Sequence, residues 1–287
     1  SVAVTACARR FTAAPLPALP FVADTTHTQI ITRGVVRRYI HTPTGPWAIH
    51  VLEVELNPCL AAVAVKGSDS AAGRIKTSTM LGDLAKRRRV LGGVNGDFFS
   101  LANGTPVNLL VVDGRMLAPP VAQPALAFDS SGRPRIATFQ VSGAMLTPFY
   151  PMEAVGGRPE LVRDSVVLGV VDTEGQASFN VGRNPRTAVG IARRGRRLIL
   201  VVVDGRQMPY SDGMSLRELA NLMLALGARD AINLDGGGSS TLVYADPSSN
   251  AALTIANRPS DKEGERAVGD ALAIVECSGS RGNTPGM

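Results

Sequence analysis

Residues 231–244 read AINLDGGGSSTLVY, and this stretch predicts two strands joined by a glycine loop. The first strand, Ala231 to Leu234, ends in the carboxylate of Asp235, and the second strand begins at Thr241. Three consecutive glycines are costly because glycine loses more backbone entropy on folding than any other residue. A two-residue hairpin needs only one or two of them, so the surplus indicates a bare backbone whose N–H groups could bind an anion. A loose glycine hairpin is the alternative.

The composition is that of a globular protein with a large core. Of the 287 residues, 45% are hydrophobic and only 5% are aromatic, so strand packing must rely on Val, Ile and Leu. No stretch approaches the roughly 18–20 apolar residues of a membrane-spanning helix. We expect one domain over residues 29–278, after a flexible leader rich in Pro and Ala (1–28) and before a disordered tail (279–287).

The basic charge is concentrated in short runs. The net charge is +6, and basic runs occur at Lys86–Arg89, Arg193-Arg194 and Arg196-Arg197. Such runs can attract nucleic acid, anionic membranes or phosphate-rich polymers, although each one alone is also typical of a solvated helix end or turn. No aromatic residues alternate with these arginines, so a stacking platform for single-stranded nucleic acid is not supported. We expect no nucleic-acid partner.

The three cysteines permit one internal disulfide, such as Cys59 with Cys277, and leave Cys7 over. Cys7 follows Val4-Thr5-Ala6, the small-residue pattern that precedes a lipidated cysteine, so a lipid anchor at Cys7 is one option. No Cys-x-x-Cys occurs, and the three histidines lie away from every glycine motif. A zinc site built from Cys and His is therefore not expected.

Hydrophobic periodicity predicts two helices. The stronger one covers residues 215–226, where Ser215 and Glu218 form a capping box and Gly227 suits the position after the helix. The second covers residues 78–89, begins at a cap formed by Thr77 or Ser78, and places the basic run in its last turn, where the helix dipole favours cations.

The remaining pattern is β-rich. Alternating or continuous apolar runs predict strands and hairpins at residues 35–40, 47–54, 90–94, 108–112 with 115–117, 126–128 with 135–141, and 187–192 with 197–203. We assign the fold to the α+β class, as a single domain of mixed, largely antiparallel β-sheets with a few flanking helices.

Two helix–strand units end in the same Asn-x-Asp pattern. One ends at Asn95-Gly96-Asp97 and the other at Asn233-Leu234-Asp235. If the two strands are neighbours in one sheet, Asp97 and Asp235 face the same cleft, and strand ends at such crevices are the usual place for ligands. The alternative for Asp97 is an aspartate that only stabilises a turn.

Two carboxylates at one cleft are the minimum equipment for glycoside hydrolysis. They would equally hold a divalent cation such as Ca²⁺ or Mg²⁺, although no feature of the sequence requires a cofactor. Asp113 and Asp204 each precede a glycine, as in common hairpin turns; we favour a turn role for Asp113 and leave Asp204 open. Arg186 and Arg266 carry the planar donors that match a phosphate, but each alone is more often a surface ion pair.

In their order along the chain, these motifs resemble the phosphodiester glycosidase family. The resemblance runs from about residue 31 to residue 276 and rests on NGDFF (95–99), PRTAVG (185–190), VVDGR (202–206), the helix at 215–226 and NLDGGGSS (233–240). It implies a domain of mixed sheets that hydrolyses the bond between a sugar's anomeric carbon and a phosphodiester oxygen. It also implies secretion, or residence in a lumen or the cell envelope.

The resemblance gives each candidate residue a role. Asp97 and Asp235 would act as nucleophile or base at the anomeric carbon, in an order that the sequence does not decide. The phosphate would be bound by Arg186 and the N–H groups of Gly236, Gly237 and Gly238, and the substrate-binding set is completed by Asn95, Asp204, Asn233, Ser239 and Arg266.

The expected substrate is a sugar phosphate or an anionic glycan, such as a bacterial wall or capsular polymer. Two alternatives are a metal-dependent phosphodiesterase that cuts the P–O bond and a non-catalytic module that binds anionic glycan. Metal need and oligomeric state are left open.

Overall fold

The computed structural model describes residues 11–68, 70–143 and 145–276, and in this part of the chain strands far outnumber helices. The first eleven strands are β1 (Thr25–Thr32), β2 (Val35–Thr42), β3 (Trp47–Glu55), β4 (Leu60–Val65), β5 (Ile75–Lys76), β6 (Arg89–Asn95), β7 (Leu110–Val112), β8 (Arg115–Ala118), β9 (Pro124–Phe128), β10 (Pro134–Thr138) and β11 (Gln140–Ser142). The others are β12 (Met145–Thr147), β13 (Glu153–Gly156), β14 (Glu160–Arg163), β15 (Val166–Val167), β16 (Arg186–Ala192), β17 (Arg197–Val203), β18 (Asp230–Asn233), β19 (Leu242–Asp246), β20 (Ala252–Ile255), β21 (Ala267–Val268) and β22 (Ala271–Glu276). The α-helices are α1 (Thr77–Ala85), α2 (Ala177–Asn180) and α3 (Leu216–Ala225).

The strands form three larger sheets. An eight-stranded sheet has the order β1-β2-β3-β17-β16-β18-β14-β15, and two five-stranded sheets have the orders β20-β19-β6-β22-β4 and β10-β9-β13-β7-β8. Each strand pairing between described residues is antiparallel. The expectation of largely antiparallel sheets is therefore confirmed. The α+β class fits only loosely, because 44% of the structure is strand and 14% is helix.

The sheets pack face to face with helices outside. Along β17, Leu198 and Leu200 belong to the core between the sheets, whereas Ile199 and Val201 belong to the core beneath α3. This alternation follows from the two-residue period of a strand. β22 alternates in the same way between the central core and the core beneath α1. The strands that carry the site are thus buried on both faces.

Helix α3 confirms its prediction. The Ser215 hydroxyl accepts from the Glu218 N–H at 3.2 Å, and the Glu218 carboxylate accepts from the Ser215 N–H at 2.9 Å, which is the expected capping box. Gly227 follows the helix with a φ of 91°, in the left-handed region.

Helix α1 differs from its prediction at both ends. It starts after Lys76 without a cap from Thr77 or Ser78; instead the Ser78 N–H donates to the distant Glu265 carboxylate at 2.8 Å. It stops at Ala85, so the basic run lies beyond it and not in its last turn. The chain leaves the helix here because Arg89 already pairs with Glu276 at the start of β6.

The hairpin predictions hold, and they settle the role of Asp113. Strands β7 and β8 are joined by Asp113 and Gly114, whose φ angles of 48° and 73° are both left-handed. The β16–β17 and β9–β10 hairpins also occur, but the strand predicted over 135–141 ends at Thr138, and β11 belongs to a separate two-stranded sheet with β12. Asp113 is a turn residue.

The ends of the chain bear on the domain boundaries. Strand β1 begins inside the predicted leader, at Thr25, and Leu16, Leu19 and Phe21 pack against the core beneath α3. Cys59 is exposed, while Cys7, Cys277 and the predicted tail lie outside the described residues, so the disulfide and the anchor stay predictions. No helix in the described ranges has both the length and the apolar character needed to cross a membrane.

Candidate active site

The two Asn-x-Asp segments meet. The N–H of Asp235 donates to the carbonyl of Gly96 at 3.0 Å, and Asn95 Nδ2 donates to the carbonyl of Asp235 at 2.7 Å. The backbones of the two segments therefore converge, but of the two carboxylates expected at one cleft only that of Asp235 lines the adjacent cavity. The expectation that the two strands are neighbours in one sheet is wrong, because β6 and β18 belong to different sheets of the sandwich. Face-to-face packing brings their ends together instead.

Asn95 braces this meeting point. It is fully buried, and its Oδ1 accepts from the Thr187 hydroxyl at 2.8 Å and from the Thr241 N–H at 3.1 Å. With its bond to the Asp235 carbonyl, one amide joins β6, β16 and both sides of the glycine loop. Asn95 thus holds the backbone of Asp235. It is not one of the residues that line the cavity beside Asp235, which is described below.

Asn233 has a similar role on the other side of Asp235. Its Nδ2 donates to the carbonyl of Arg158 at 2.7 Å, and the Arg158 N–H donates back to the Asn233 carbonyl at 2.8 Å. The Arg158 guanidinium lies 5.0 Å from the ring centre of Phe98 and 5.7 Å from that of Phe179. Asn233 therefore positions an arginine that is close enough to lower the pKa of Asp235.

A cavity of about 330 Å³ opens beside Asp235. From the predicted set, it is lined by Asp235, Arg186, Gly236, Gly237, Gly238 and Arg266. Its wall also contains Ser178, Phe179, Asn184 and Arg206, which the sequence did not single out. A carboxylate, three arginines and the glycine loop thus share one concave site.

Arg186 is held by neutral groups. Its side chain is buried, with Nε donating to the Met214 carbonyl at 2.8 Å and Nη2 donating to the carbonyls of Phe179 and Gly182 at 2.6 and 3.0 Å. It makes no ion pair with a described carboxylate. Burial and the nearby Arg206 lower its pKa to about 10, so it stays charged at neutral pH. The alternative of a surface ion pair does not apply to Arg186.

Arg206 and Arg266 differ in how their charges are balanced. Arg266 forms a bidentate pair with Asp261, through Nε at 2.8 Å and Nη2 at 3.0 Å. Arg206 is exposed, donates to Asn184 Oδ1 at 2.8 Å and has no ion pair among the described residues. The signal for Arg206 was its place at the end of the VVDGR motif, which occurs twice in the chain.

The glycine loop is not the open anion nest that the sequence suggested. The Gly236 N–H donates to Asp235 Oδ1 at 2.9 Å, and the Gly237 N–H donates to the Pro185 carbonyl at 2.9 Å. Only the Gly238 N–H has no such bond within the described chain. The glycines are needed for close packing: a Cβ on Gly236 would lie 2.7 Å from the Pro185 oxygen, and one on Gly238 would collide with Asp261 and Arg266.

Asp235 is half-buried in the cavity wall. Burial raises its pKa to about 6, although the Ser239 hydroxyl, the Gly236 N–H and the charge of Arg266 each lower it. Ser239 itself is fully buried and does not line the cavity. The carboxyl group is mostly ionised at neutral pH and takes up a proton under mildly acidic conditions.

Asp97 is buried and does not line the cavity. One carboxylate oxygen accepts from the Phe98 N–H at 2.8 Å and the other from the Asn108 N–H at 2.7 Å. Burial and the neighbouring Asp270 raise the pKa of Asp97 well above its usual range. The catalytic role of Asp97 stays a prediction, and its carboxylate contacts backbone N–H groups.

Asp270 is a third carboxyl group that the sequence interpretation missed. It is fully buried, its Oδ1 accepts from the Asp97 N–H at 3.0 Å, and its carbonyl accepts from the Gly96 N–H at 2.9 Å. Burial raises its pKa to about 7, and Lys66 opposes that rise. Its position directly before the buried strand β22 was the available signal, since a carboxylate next to an apolar strand had already singled out Asp235.

Asp204 lies outside the cavity wall, so its placement does not support substrate binding. Its buried carboxylate accepts from His50 Nε2 and the Tyr210 hydroxyl at 3.0 Å each, and from Asn257 Nδ2 at 3.1 Å. The Arg258 N–H donates to it as well. Asp204 therefore anchors the start of the loop that carries Arg206. Within the described residues, no group of three or more His, Cys, Asp or Glu side chains is arranged to hold a metal ion.

Comparison with solved structures shows where this fold occurs. A crystal structure of a hypothetical protein from Synechocystis superposes with a TM-score of 0.68 at 16% identity, covering 89% of this chain and 64% of that one. The catalytic domain of zebrafish N-acetylglucosamine-1-phosphodiester alpha-N-acetylglucosaminidase, auto-inhibited by its pro-peptide, gives 0.62 at 21% identity, covering 90% and 89%. At these identities the likeness concerns the fold.

The sequence itself also matches known proteins, at higher identity than these solved structures. The Mus musculus N-acetylglucosamine-1-phosphodiester alpha-N-acetylglucosaminidase is 31% identical over 179 residues, which cover 58% of this chain and 33% of that protein. The chain thus spans about a third of the length of the curated relatives that it matches. The family model for phosphodiester glycosidases matches residues 88–275, a range that contains both Asn-x-Asp strand ends and the glycine loop. The chain belongs to the phosphodiester glycosidase family.

Proposed function

We propose that this chain is a hydrolase that cleaves the bond between a sugar's anomeric carbon and a phosphodiester oxygen. One observation carries the proposal: the cavity combines the half-buried Asp235 with two arginines, Arg186 and Arg206, that no described carboxylate neutralises. The mouse relative is named for action on an N-acetylglucosamine-1-phosphodiester, which contains such a bond.

The arginines suit the leaving group. A phosphodiester departs as an anion that is already stable, so protonating it matters less than neutralising its charge. Arg186 is fixed by three carbonyls and needs no rearrangement to meet that charge. Arg206 adds a second cation to the cavity wall, and of the N–H groups of the three loop glycines only that of Gly238 is left for a phosphate oxygen.

Asp235 is the carboxylate that would act at the anomeric carbon. Arg266 and Arg158 favour its ionised form, while burial keeps its pKa at about 6, so it is basic enough to attack the sugar or to activate water. We assign Asp97 and Asp270 a positioning role, because their hydrogen bonds fix the turn at residues 95–97 against which Asp235 is anchored. A retained sugar configuration indicates attack by Asp235, and inversion indicates activated water.

We propose a sugar-phosphate link in a glycan or cell-envelope polymer as the substrate, and a secreted or envelope-bound location, since such polymers lie outside the cytoplasm. Fractionation of the native host, with the chain detected by antibody, tests the location. Recovery in the cytoplasmic fraction alone would contradict it.

Hydrolysis in ¹⁸O-labelled water tests the reaction. Label in the sugar hemiacetal is the expected result, because the C–O bond breaks, the phosphate leaves with its own oxygen, and the oxygen of water bonds to the anomeric carbon. Label in the phosphate overturns the proposal in favour of a phosphodiesterase that cuts P–O, and inactivation by a chelator would make that reaction metal-dependent. If the chain binds a sugar-1-phosphodiester tightly without turnover, it is a binding module.

A further inference from the structure

The central strands of the eight-stranded sheet carry arginines at the end opposite the cavity. Strand β16 starts at Arg186 in the cavity wall and leads into Arg193 and Arg194. The two neighbouring strands also carry arginines at this end, because β17 starts at Arg197 and β18 is preceded by Arg229. At about 3.3 Å per residue, β16 separates the two ends by roughly 20 Å.

At this far end, two adjoining depressions of about 320 and 750 Å³ share Arg133, Arg194 and Gly195. Together they form a groove with six arginines, which we call the arginine groove: Arg133, Arg135, Arg163, Arg194, Arg196 and Arg229. Only two acidic residues, Glu160 and Asp230, line it. The groove thus holds a large share of the excess positive charge of the chain.

Two of these six arginines are already neutralised by carboxylates, and a third, Arg135, stacks on an aromatic ring but keeps its charge. Arg163 pairs with Glu160 and Arg229 pairs with Asp164, and Arg135 lies 5.2 Å from the ring centre of Phe149. In contrast, Arg133, Arg194 and Arg196 are exposed and form no ion pair with any carboxylate in the described ranges. Three like charges around one depression repel each other, and an anion would relieve that repulsion.

The groove is preformed by two tight turns in contact. Arg193, Arg194 and Gly195 all have left-handed φ angles, of 49°, 56° and 83°, although this conformation costs roughly 1–2 kcal/mol at a non-glycine residue. The opposing turn is fixed by Asp129, which accepts from the N–H groups of Ser131 and Arg133 at 2.9 and 3.0 Å. A Cβ placed on Gly195 would lie 3.6 Å from the Arg133 side chain.

We propose that the arginine groove binds a glycan chain with repeating phosphodiesters, at a second site on the polymer whose link is cut in the cavity. This inference rests on the proposed function and deepens it. Besides the arginines, the wider depression offers the Ser130 hydroxyl as a partner for sugar hydroxyls, whereas Asn57 and Ser131 already bond within the protein. The residues lining the groove include no aromatic ring, whereas single-stranded nucleic acid is commonly held by base stacking.

A second binding site would raise the rate at which a polymer is cleaved. Once the groove holds one part of a polymer, other links of the same molecule meet the cavity at a raised effective concentration. The advantage exists only for a polymer, because a small sugar-1-phosphodiester cannot reach both sites.

The test compares two triple variants. Arg133→Gln, Arg194→Asn and Arg196→Gln together remove the unpaired charges, with Asn at position 194 because it tolerates left-handed φ. Lys86→Gln, Arg87→Gln and Arg88→Gln remove the same charge after α1. The probe is an end-labelled linear glycan with glycosyl-1-phosphate repeats, followed by fluorescence anisotropy over a range of salt concentrations. A small aryl sugar-1-phosphodiester provides a second assay.

We expect the groove variant to bind the glycan at least about tenfold more weakly and to lose about two units of the salt slope, because each of the three lost phosphate contacts removes roughly 0.7 unit for a single-stranded polyanion. Its kcat/KM should fall on the polymer and not on the small substrate, and the control variant should match the parent. If the triple variant does not fold, Arg196→Gln alone, at an exposed site with ordinary φ, should still show a smaller loss.

Three results overturn the inference: no binding of the glycan by the unchanged protein, an equal loss in both triple variants, or tighter binding of poly(dT) than of the glycan. The last result would make the groove a nucleic-acid site. If the groove variant loses glycan binding but the unchanged protein hydrolyses no sugar-1-phosphodiester, the groove stands and the proposed function fails.

Discussion

The N–H of Asp235 donates a 3.0 Å hydrogen bond to the carbonyl of Gly96, and this contact joins the two sheets at the candidate active site. Each residue belongs to an Asn-x-Asp segment at the end of a buried strand. The bond fixes the backbone of the one carboxylate that lines the cavity, so the position of Asp235 depends on both halves of the sandwich.

Replacing Asp235 with Asn should abolish most of the turnover. The amide keeps the shape but cannot act as nucleophile or base, so kcat should fall by about 10²–10⁴-fold while KM changes little. Steady-state kinetics on an aryl sugar-1-phosphodiester measure this. Asp83→Asn, which removes an exposed carboxylate from α1, should leave kcat unchanged, and parental turnover in Asp235→Asn would contradict the proposed role.

Replacing Arg206 with Gln should weaken the action on the phosphodiester without unfolding the protein. The side chain is exposed, and a hydrogen bond to a charged group contributes about 1.5–3 kcal/mol, so kcat/KM should fall by about 10–100-fold. The melting temperature should stay within a degree or two of the parent, which calorimetry can check. Arg87→Gln provides the matched loss of an exposed arginine; equal effects of both would reject a specific role.

The activity should rise with pH through about 6. Asp235 must be ionised to act, and its pKa is about 6, whereas Arg186 keeps its charge until about pH 10. Because Arg266 lowers the pKa of Asp235, Arg266→Gln should move the acidic limb of the kcat/KM profile to higher pH. An unmoved limb would show that another group controls it.

Asp270→Asn should make the folded state less sensitive to pH. The folded-state pKa of Asp270 is raised to about 7, so its contribution favours folding below about pH 4, where the group is protonated in both states, and is lost as the pH rises through 7. The amide removes that loss while its oxygen can still accept from the Asp97 N–H. Melting temperatures of variant and parent between pH 4 and pH 8 should therefore diverge in favour of the variant as the pH rises.

Gly238→Ala should damage the site more than an equivalent change elsewhere. Its Cβ would collide with the Asp261–Arg266 pair, so both kcat/KM and the melting temperature should fall. Gly82 in α1 has open space around its Cα, and Gly82→Ala should be neutral or stabilise by up to about 1 kcal/mol. Matching behaviour of the two variants would show that the loop tolerates a side chain.

The sequence predicted what local chemistry decides. Ser215 and Glu218 are three residues apart and identify the start of α3, and the Asp113-Gly114 pair identifies a turn, because both signals depend on neighbouring residues alone. The repeated Asn-x-Asp pattern predicted that the ends of the two strands lie close together, although through the wrong sheet arrangement, and only Asp235 lines the cavity.

What the sequence missed depends on distant partners. The N–H groups of Gly236 and Gly237 are occupied by Asp235 and Pro185, and no spacing rule reveals that. Asp270 joins the site only because β22 pairs with β6. Likewise, the end of α1 is set by the pairing of Arg89 with Glu276, which overrides the helical pattern of the basic run.

The amide of Asn95 forms hydrogen bonds with Thr187, Thr241 and Asp235 at once. It therefore connects the two packed sheets at the site. Sliding of one layer over the other would break the bonds to Thr187, in β16, and to Asp235, just after β18, because both strands belong to the other sheet. Opening of the cavity to a bulky polymer therefore falls to the loops around it, those that carry Arg206 and Arg266, while the strand ends beneath stay rigid.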